Sequence, residues 1–247
     1  MFRHRGSKRS FQDNLRISAF LSFTAGIVNI CGVLALGVLT TNVTGHFAYF
    51  SAAMQKHDFA YAFNFLFYIL SFLAGSFFSS FITEYFMKKN KAWAHKPVII
   101  IEIFLLLLIG ITGNLYVRSE VQMEWTANIL LFAMGLQNAQ VTSISNATVR
   151  TTHLTGLFTD LGIELSQLFY YREQGQVRKL KKSIGLRCNI IAFFFSGCFI
   201  GSFVFLHYQL KTLLIASSIL VIALVYDLIR LYVYRNFKKF RNVNANK

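Results

Sequence analysis

The chain has 247 residues, is 55% apolar, carries 27 Phe and one Pro, and has a mean hydropathy of +0.48. Only 14% of its residues are charged, too few to clothe a soluble domain of this length, and a single Pro disfavours a loop-rich β fold. The net charge of +15 lies in short basic clusters between long apolar runs, which is the pattern of membrane-protein loops and not of a nucleic-acid surface. The composition therefore predicts an all-α integral membrane protein whose first partner is the lipid bilayer, with no nucleic acid.

In chain order, residues 1–16 form a basic tail, and a first span is predicted over 17–39. That apolar run is too long for a signal-peptide core, so it reads as a retained helix. Further spans are predicted over 60–84, 97–116, 127–149, 184–208 and 212–234, followed by a basic tail from Arg235. Each is long enough to cross roughly 30 Å of hydrocarbon. The loops on one side hold 21 Lys and Arg, against only Lys56, Arg118 and Lys211 on the other. The positive-inside rule then puts both termini in the cytoplasm.

Between the first and second spans lies "TTNVTGHF", residues 40–47, and between the fourth and fifth lies "TTHLTGLF", residues 151–158. The span before each octapeptide carries G-x-x-N, at Gly26–Asn29 and Gly135–Asn138. The span after each has small residues four apart, Gly75 with Ser79 and Gly197 with Gly201, a spacing that lets helices approach closely in lipid. Two three-helix halves, 17–116 and 127–234, follow from this. Because each half has an odd number of spans, the second enters the membrane upside down, as in an inverted-topology repeat.

Thr and Gly favour a helix break, with Thr44 and Thr155 as N-caps of the segments that follow. Two readings fit the repeat: a capped turn at the membrane surface, or a broken helix lining a buried cavity. In the second, Thr41, Thr44, Gly45, Thr152, Thr155 and Gly156, with Asn29 and Asn138, would surround one small polar or ionic solute. The Asn pair also suits plain helix–helix hydrogen bonding.

The strings "TTNVTGHF" and "FAMGLQNAQVTSISNATVRTTHLTG" resemble the YoaK-type family of bacterial membrane proteins, defined by a domain of unknown function. The resemblance runs from about residue 16 to 235 and implies a six-helix protein of the bacterial plasma (inner) membrane with no established substrate. Family members often carry an acidic residue where this chain has Asn29, and T-G-N where it has Thr44-Gly45-His46.

Candidates for proton or cation coupling are Glu102 in the third span, His46, and the acids Asp160 and Glu164. The last two are four apart in the amphipathic segment 157–171, which either lies on the inner surface or re-enters. Asp227 and Arg230 are expected to pair on the last helix. Cys31, Cys188 and Cys198 sit in apolar runs without metal-type spacing, and no catalytic signature is present, so no metal, cofactor or enzymatic activity is expected. The functional expectation is a secondary transporter or channel-like permeation protein. The alternative is a non-transporting scaffold that binds lipid or a partner, and the small-residue faces also suit a homo-oligomer.

Overall fold

A computed structural model describes residues 10–89, 93–145 and 147–245, with side chains to 229. The basic tails up to residue 9 and beyond 245, Lys91, and the side chains of Arg230 and of the 235–247 tail lie outside the described residues. The first helix, α1 (Phe11–Leu36), starts six residues earlier than predicted because Ser10 caps it: the Asp13 amide donates to Ser10 Oγ at 3.1 Å. It stops three residues short of the predicted end, where Gly37 turns left-handed at φ 67° and its N–H returns to the carbonyls of Gly32 and Val33.

The remaining helices are α2 (Val43–Gln55), α3 (Phe59–Lys88), α4 (Lys96–Tyr116), α5 (Glu120–Ser145), α6 (Leu154–Tyr170), α7 (Gln174–Tyr208) and α8 (Leu213–Ala245). The one Pro, Pro97, sits in the first turn of α4, where a missing N–H costs nothing. A short 3-10 turn, Gln209–Thr212, joins α7 to α8. The described residues contain no strand. Among the described residues, four stretches are long and apolar enough to cross a membrane: Phe11–Leu36, Phe59–Lys88, Lys96–Tyr116 and Gln174–Ile229, the last holding α7 and the start of α8. Helix α5 is absent from that set. Its second half carries Gln137, Asn138, Gln140, Thr142 and Ser143.

Two parallel helix pairs cross over to one another. Helices α1 and α7 run parallel, with Asn189 Nδ2 donating to Leu15 O at 3.0 Å and to Ser18 Oγ at 2.8 Å. Further along, Cys198 Sγ donates to Gly26 O at 3.3 Å. Helices α3 and α5 are also parallel, through Asn64 with Glu124, Ser71 Oγ to Asn128 Oδ1 at 2.6 Å, and Ser76 Oγ to Gly135 O at 3.2 Å. At both crossings backbone meets backbone. A Cβ on Gly26 would lie 2.2 Å from Phe194 O, and one on Gly197 would lie 2.2 Å from Phe23 O. The same holds for Gly135 against Phe72 O at 2.2 Å and Gly75 against Phe132 O at 2.1 Å. In lipid, apolar side chains gain little from meeting each other, so close approach and interhelical hydrogen bonds carry the association.

Helix α4 packs antiparallel to α8, with Gly110 against Leu214 and Gly113 against Leu210. Asn114 closes that contact, accepting from Leu210 N at 2.8 Å and donating to Tyr208 O at 3.1 Å. Gln137 on α5 reaches Leu21 O on α1 at 2.9 Å and joins the two pairs. Outward-facing positions are apolar and open, among them Phe77, Phe81, Phe104, Phe195 and Phe203, which is the surface a bilayer covers.

Candidate functional site

The two octapeptides do not stay at the ends of the helices they follow. After Gly37 the chain turns back along α1, and Thr41 donates to Asn29 Oδ1 through its amide at 3.3 Å and its hydroxyl at 2.9 Å. Asn29 lies seven residues before the end of α1, which at 1.5 Å per residue is about 10 Å. The second octapeptide does the same beside α5: Thr151 Oγ1 accepts from Gln137 Nε2 at 3.4 Å, eight residues before the end of α5, about 12 Å. Each short helix then runs back out, α2 antiparallel to α3 and α6 antiparallel to α7.

Both short helices begin at the fourth position of their octapeptide, Val43 and Leu154. This corrects the expectation that Thr44 and Thr155 are N-caps. The cap of α2 is Asn42, whose Oδ1 accepts from Gly45 N at 3.1 Å and from the Thr44 hydroxyl at 2.6 Å. Asn is at least as good a cap as Thr, and it comes two residues earlier. Gly45 leaves room for that side chain, since a Cβ there would lie 3.3 Å from Asn42 Nδ2. The N-cap of α6 is His153, with no side-chain cap bond.

The first turns of α2 and α6 face one cavity of about 670 Å³. Its wall contains Thr41 and Thr44 from the first octapeptide, and Thr152, Thr155 and Gly156 from the second. Asn29 and Asn138 also line it. Seven of the eight residues predicted around a solute are thus together. Gly45 is not in the wall and serves the Asn42 cap instead. The wall also holds Phe72 and Phe194, Asn42, His153 and Thr159, none of which is among those eight. The Phe pair had a signal: both precede by three the glycine of the α3 and α7 crossings. Among the described residues, no Asp, Glu, Lys or Arg lines the cavity.

A profile described as a protein of unknown function, DUF1275, matches residues 17–226. The chain belongs to this family. It is 26% identical over 159 residues to the UPF0700 transmembrane protein YoaK of Bacillus subtilis (strain 168), covering 63% of this chain and 69% of the relative. No solved structure matches it. Together with its apolar helices, this makes the chain a membrane protein of the DUF1275 family.

The coupling candidates lie elsewhere. His46 is buried on α2, with Nε2 2.8 Å from Leu39 O and its ring against Phe65 and Tyr68 of α3. It braces the returning loop against α3 and does not line the cavity. Glu102 is wholly buried on α4, away from the cavity wall, and neither carboxylate oxygen has a hydrogen-bond partner. Asp160 and Glu164 neither face the cavity nor stand free in water. One guanidinium binds both: Arg187 on α7 meets Asp160 Oδ2 at 3.0 Å and Glu164 Oε2 at 2.8 Å. Ser183 Oγ adds a 2.6 Å bond to Glu164 Oε1. These acids tie α6 to α7. Asp227 is buried on α8, and its expected partner Arg230 has its side chain outside the described residues.

A second cavity of about 390 Å³ adjoins the first and shares His153 and Gly156 with it. Arg150, Asp160 and Arg187 line this second space. The first cavity is therefore neutral and rich in hydroxyls and amides, and its neighbour is charged.

Proposed function

We propose that this protein is a secondary transporter or channel-like permeation protein for a small polar or ionic solute, with its site in the cavity between the two octapeptides. One observation carries the reading. Corresponding residues from both halves meet around a single space: Thr41 with Thr152, Thr44 with Thr155, Asn29 with Asn138, and Phe72 with Phe194.

In this reading α1, α3, α4, α5, α7 and α8 cross the bilayer, while α2 and α6 are re-entrant half-helices. Both termini lie in the cytoplasm of a bacterial plasma membrane, as the basic loops favour. The halves form an inverted repeat, supported by the exchange of partners in which the first long helix of each half packs on the second long helix of the other. Irregular backbone at membrane depth is stable only where it lines a cavity or is buried in protein, and the returns to Asn29 and Gln137 satisfy that condition. Broken helices at the midplane are how inverted-repeat transporters present backbone ends to a solute.

The lining sets the chemistry. With no formally charged carboxylate, ammonium or guanidinium in the wall, selection rests on Thr hydroxyls, Asn amides and the partial positive ends of two helices. No group in this set performs catalysis in the proposed reading.

The test is uptake into proteoliposomes across a panel of small anions, cations, amino acids and sugars. Thr44→Val/Thr155→Val is expected to lower the initial rate for the transported solute about tenfold, the effect of two lost hydrogen bonds at roughly 0.5–1.5 kcal/mol each, while the protein elutes as wild type. Uptake no faster than in protein-free liposomes for every solute, or an unchanged rate in the variant, would contradict the proposal.

A further inference from the structure

Between the starts of α1 and α7 runs a groove of about 560 Å³ that the solute cavity does not involve. Phe11 and Leu15, four apart on α1, form one wall, and Val177 and Gly185 on α7 contribute to the other. Along the rim stand Arg178, Lys181 and Lys182, whose three- and four-residue spacing puts them on one helix face. Asn189 clamps α7 to Leu15 and Ser18 at one end of the groove.

Three features define what fits there. The three cations have no ion-pair partner among the described residues, and no acid lines the groove. The acids Asp160 and Glu164 of the neighbouring helix are both taken by Arg187. The groove also lies where both helices change character, from polar starts to the apolar runs beginning at Ile17 and Leu186. An apolar trough ending in three unpaired cations matches a ligand with an acyl chain and an anionic head. A free phosphate would use only the rim, and an acidic peptide or nucleic acid would leave the trough empty.

We infer that this groove is a binding site for an anionic phospholipid, its headgroup held by Arg178, Lys181 and Lys182 and one acyl chain lying against Phe11, Leu15 and Gly185. Basic pockets between membrane helices at the cytoplasmic side take anionic headgroups in this way. The site is independent of the solute reading.

The experiment is native mass spectrometry of the full chain released from micelles containing equal amounts of phosphatidylglycerol and phosphatidylethanolamine. The wild type is expected to retain phosphatidylglycerol on the order of tenfold more than phosphatidylethanolamine. Arg178→Gln/Lys181→Gln/Lys182→Gln should lose that preference, whereas Lys88→Gln/Lys89→Gln, at the end of α3, should keep it. Gly185→Leu provides a second test that leaves every charge in place. A Cβ at Gly185 meets no atom within 4 Å, so the variant should fold, and its side chain should displace the retained lipid. Equal retention of both lipids by the wild type would overturn the site. So would a preference that survives in the triple variant or in Gly185→Leu, or one lost as readily in the Lys88/Lys89 variant.

Discussion

Gly26→Ala and Gly135→Ala are each expected to remove most of the folded protein. The added methyl would sit 2.2 Å from a backbone carbonyl oxygen, Phe194 O in one case and Phe72 O in the other. Ordinary carbon contacts begin near roughly 3.5 Å, and a main-chain oxygen in mid-helix cannot rotate aside. The helices would therefore have to separate by more than an ångström along the crossing. Overpacking of this kind costs about 1–3 kcal/mol, at times more. Here it would also break the bond from Cys198 Sγ to Gly26 O or from Ser76 Oγ to Gly135 O. The variants should give a broad or aggregated peak on size exclusion and a lowered melting temperature. Gly162→Ala is the control. No atom lies within 4 Å of its Cβ, and alanine in a helix should be neutral or stabilising by roughly 0.5–1 kcal/mol. Wild-type melting of Gly26→Ala would show that the α1–α7 crossing is not as described.

Arg187→Leu is expected to release α6 from α7. The guanidinium makes three contacts with the two acids: Nη1 to Asp160 at 3.0 Å, and Nε and Nη2 to Glu164 at 2.8 and 3.0 Å. Glu164 is the better buried acid, its side chain 13% exposed against 51% for Asp160, so most of the loss falls on the Glu164 contact. A surface pair is worth about 0–1 kcal/mol and breaking a buried one costs about 3–5, which places this half-buried triad near 2 kcal/mol. The leucine would also leave two like charges one helical turn apart. Arg187→Lys should lie between, since an ammonium keeps the charge but cannot form the two-pronged contact. Hydrogen exchange over 154–170 should rise in Arg187→Leu and fall back when Asp160→Asn and Glu164→Gln are added. The first turn of α6 lines the cavity between the octapeptides, so under the proposed function the same variant should weaken solute uptake. Unchanged exchange in α6 would contradict the assigned role of Arg187.

The long apolar helices were plain in the sequence because lipid imposes a length and a composition on them. The octapeptides were plain because they repeat. Their meeting around one space could be expected from the odd number of spans predicted in each half, but the depth at which they sit comes only from the returns to Asn29 and Gln137. The two halves also differ in a way that motif matching hides. Twelve residues separate Asn29 from Thr41, whereas fourteen separate Asn138 from Thr152. The first pair bonds, while Asn138 Oδ1 is buried without a hydrogen-bond partner among the described residues. Nothing in the sequence separates Arg187 from the other basic residues around it, because its partners are 23 and 27 positions away and belong to no helical period. Asn42 was overlooked as a cap because the repeated Thr drew the assignment, although the corresponding position is His153 in the second half. Spacing within a helix is visible in one dimension; partners across a turn are not.

Whether the paired octapeptides hold a solute is tested by the thermal stability of purified protein against the same solute panel, with wild type and Thr44→Val/Thr155→Val side by side. A ligand that binds only the folded state raises stability by mass action, about 2.7 kcal/mol at a hundred times its dissociation constant. At least one solute is expected to raise the melting temperature of the wild type and leave the variant unmoved. A solute that stabilises both proteins equally, or no shift with any solute while the variant melts as wild type, would contradict it.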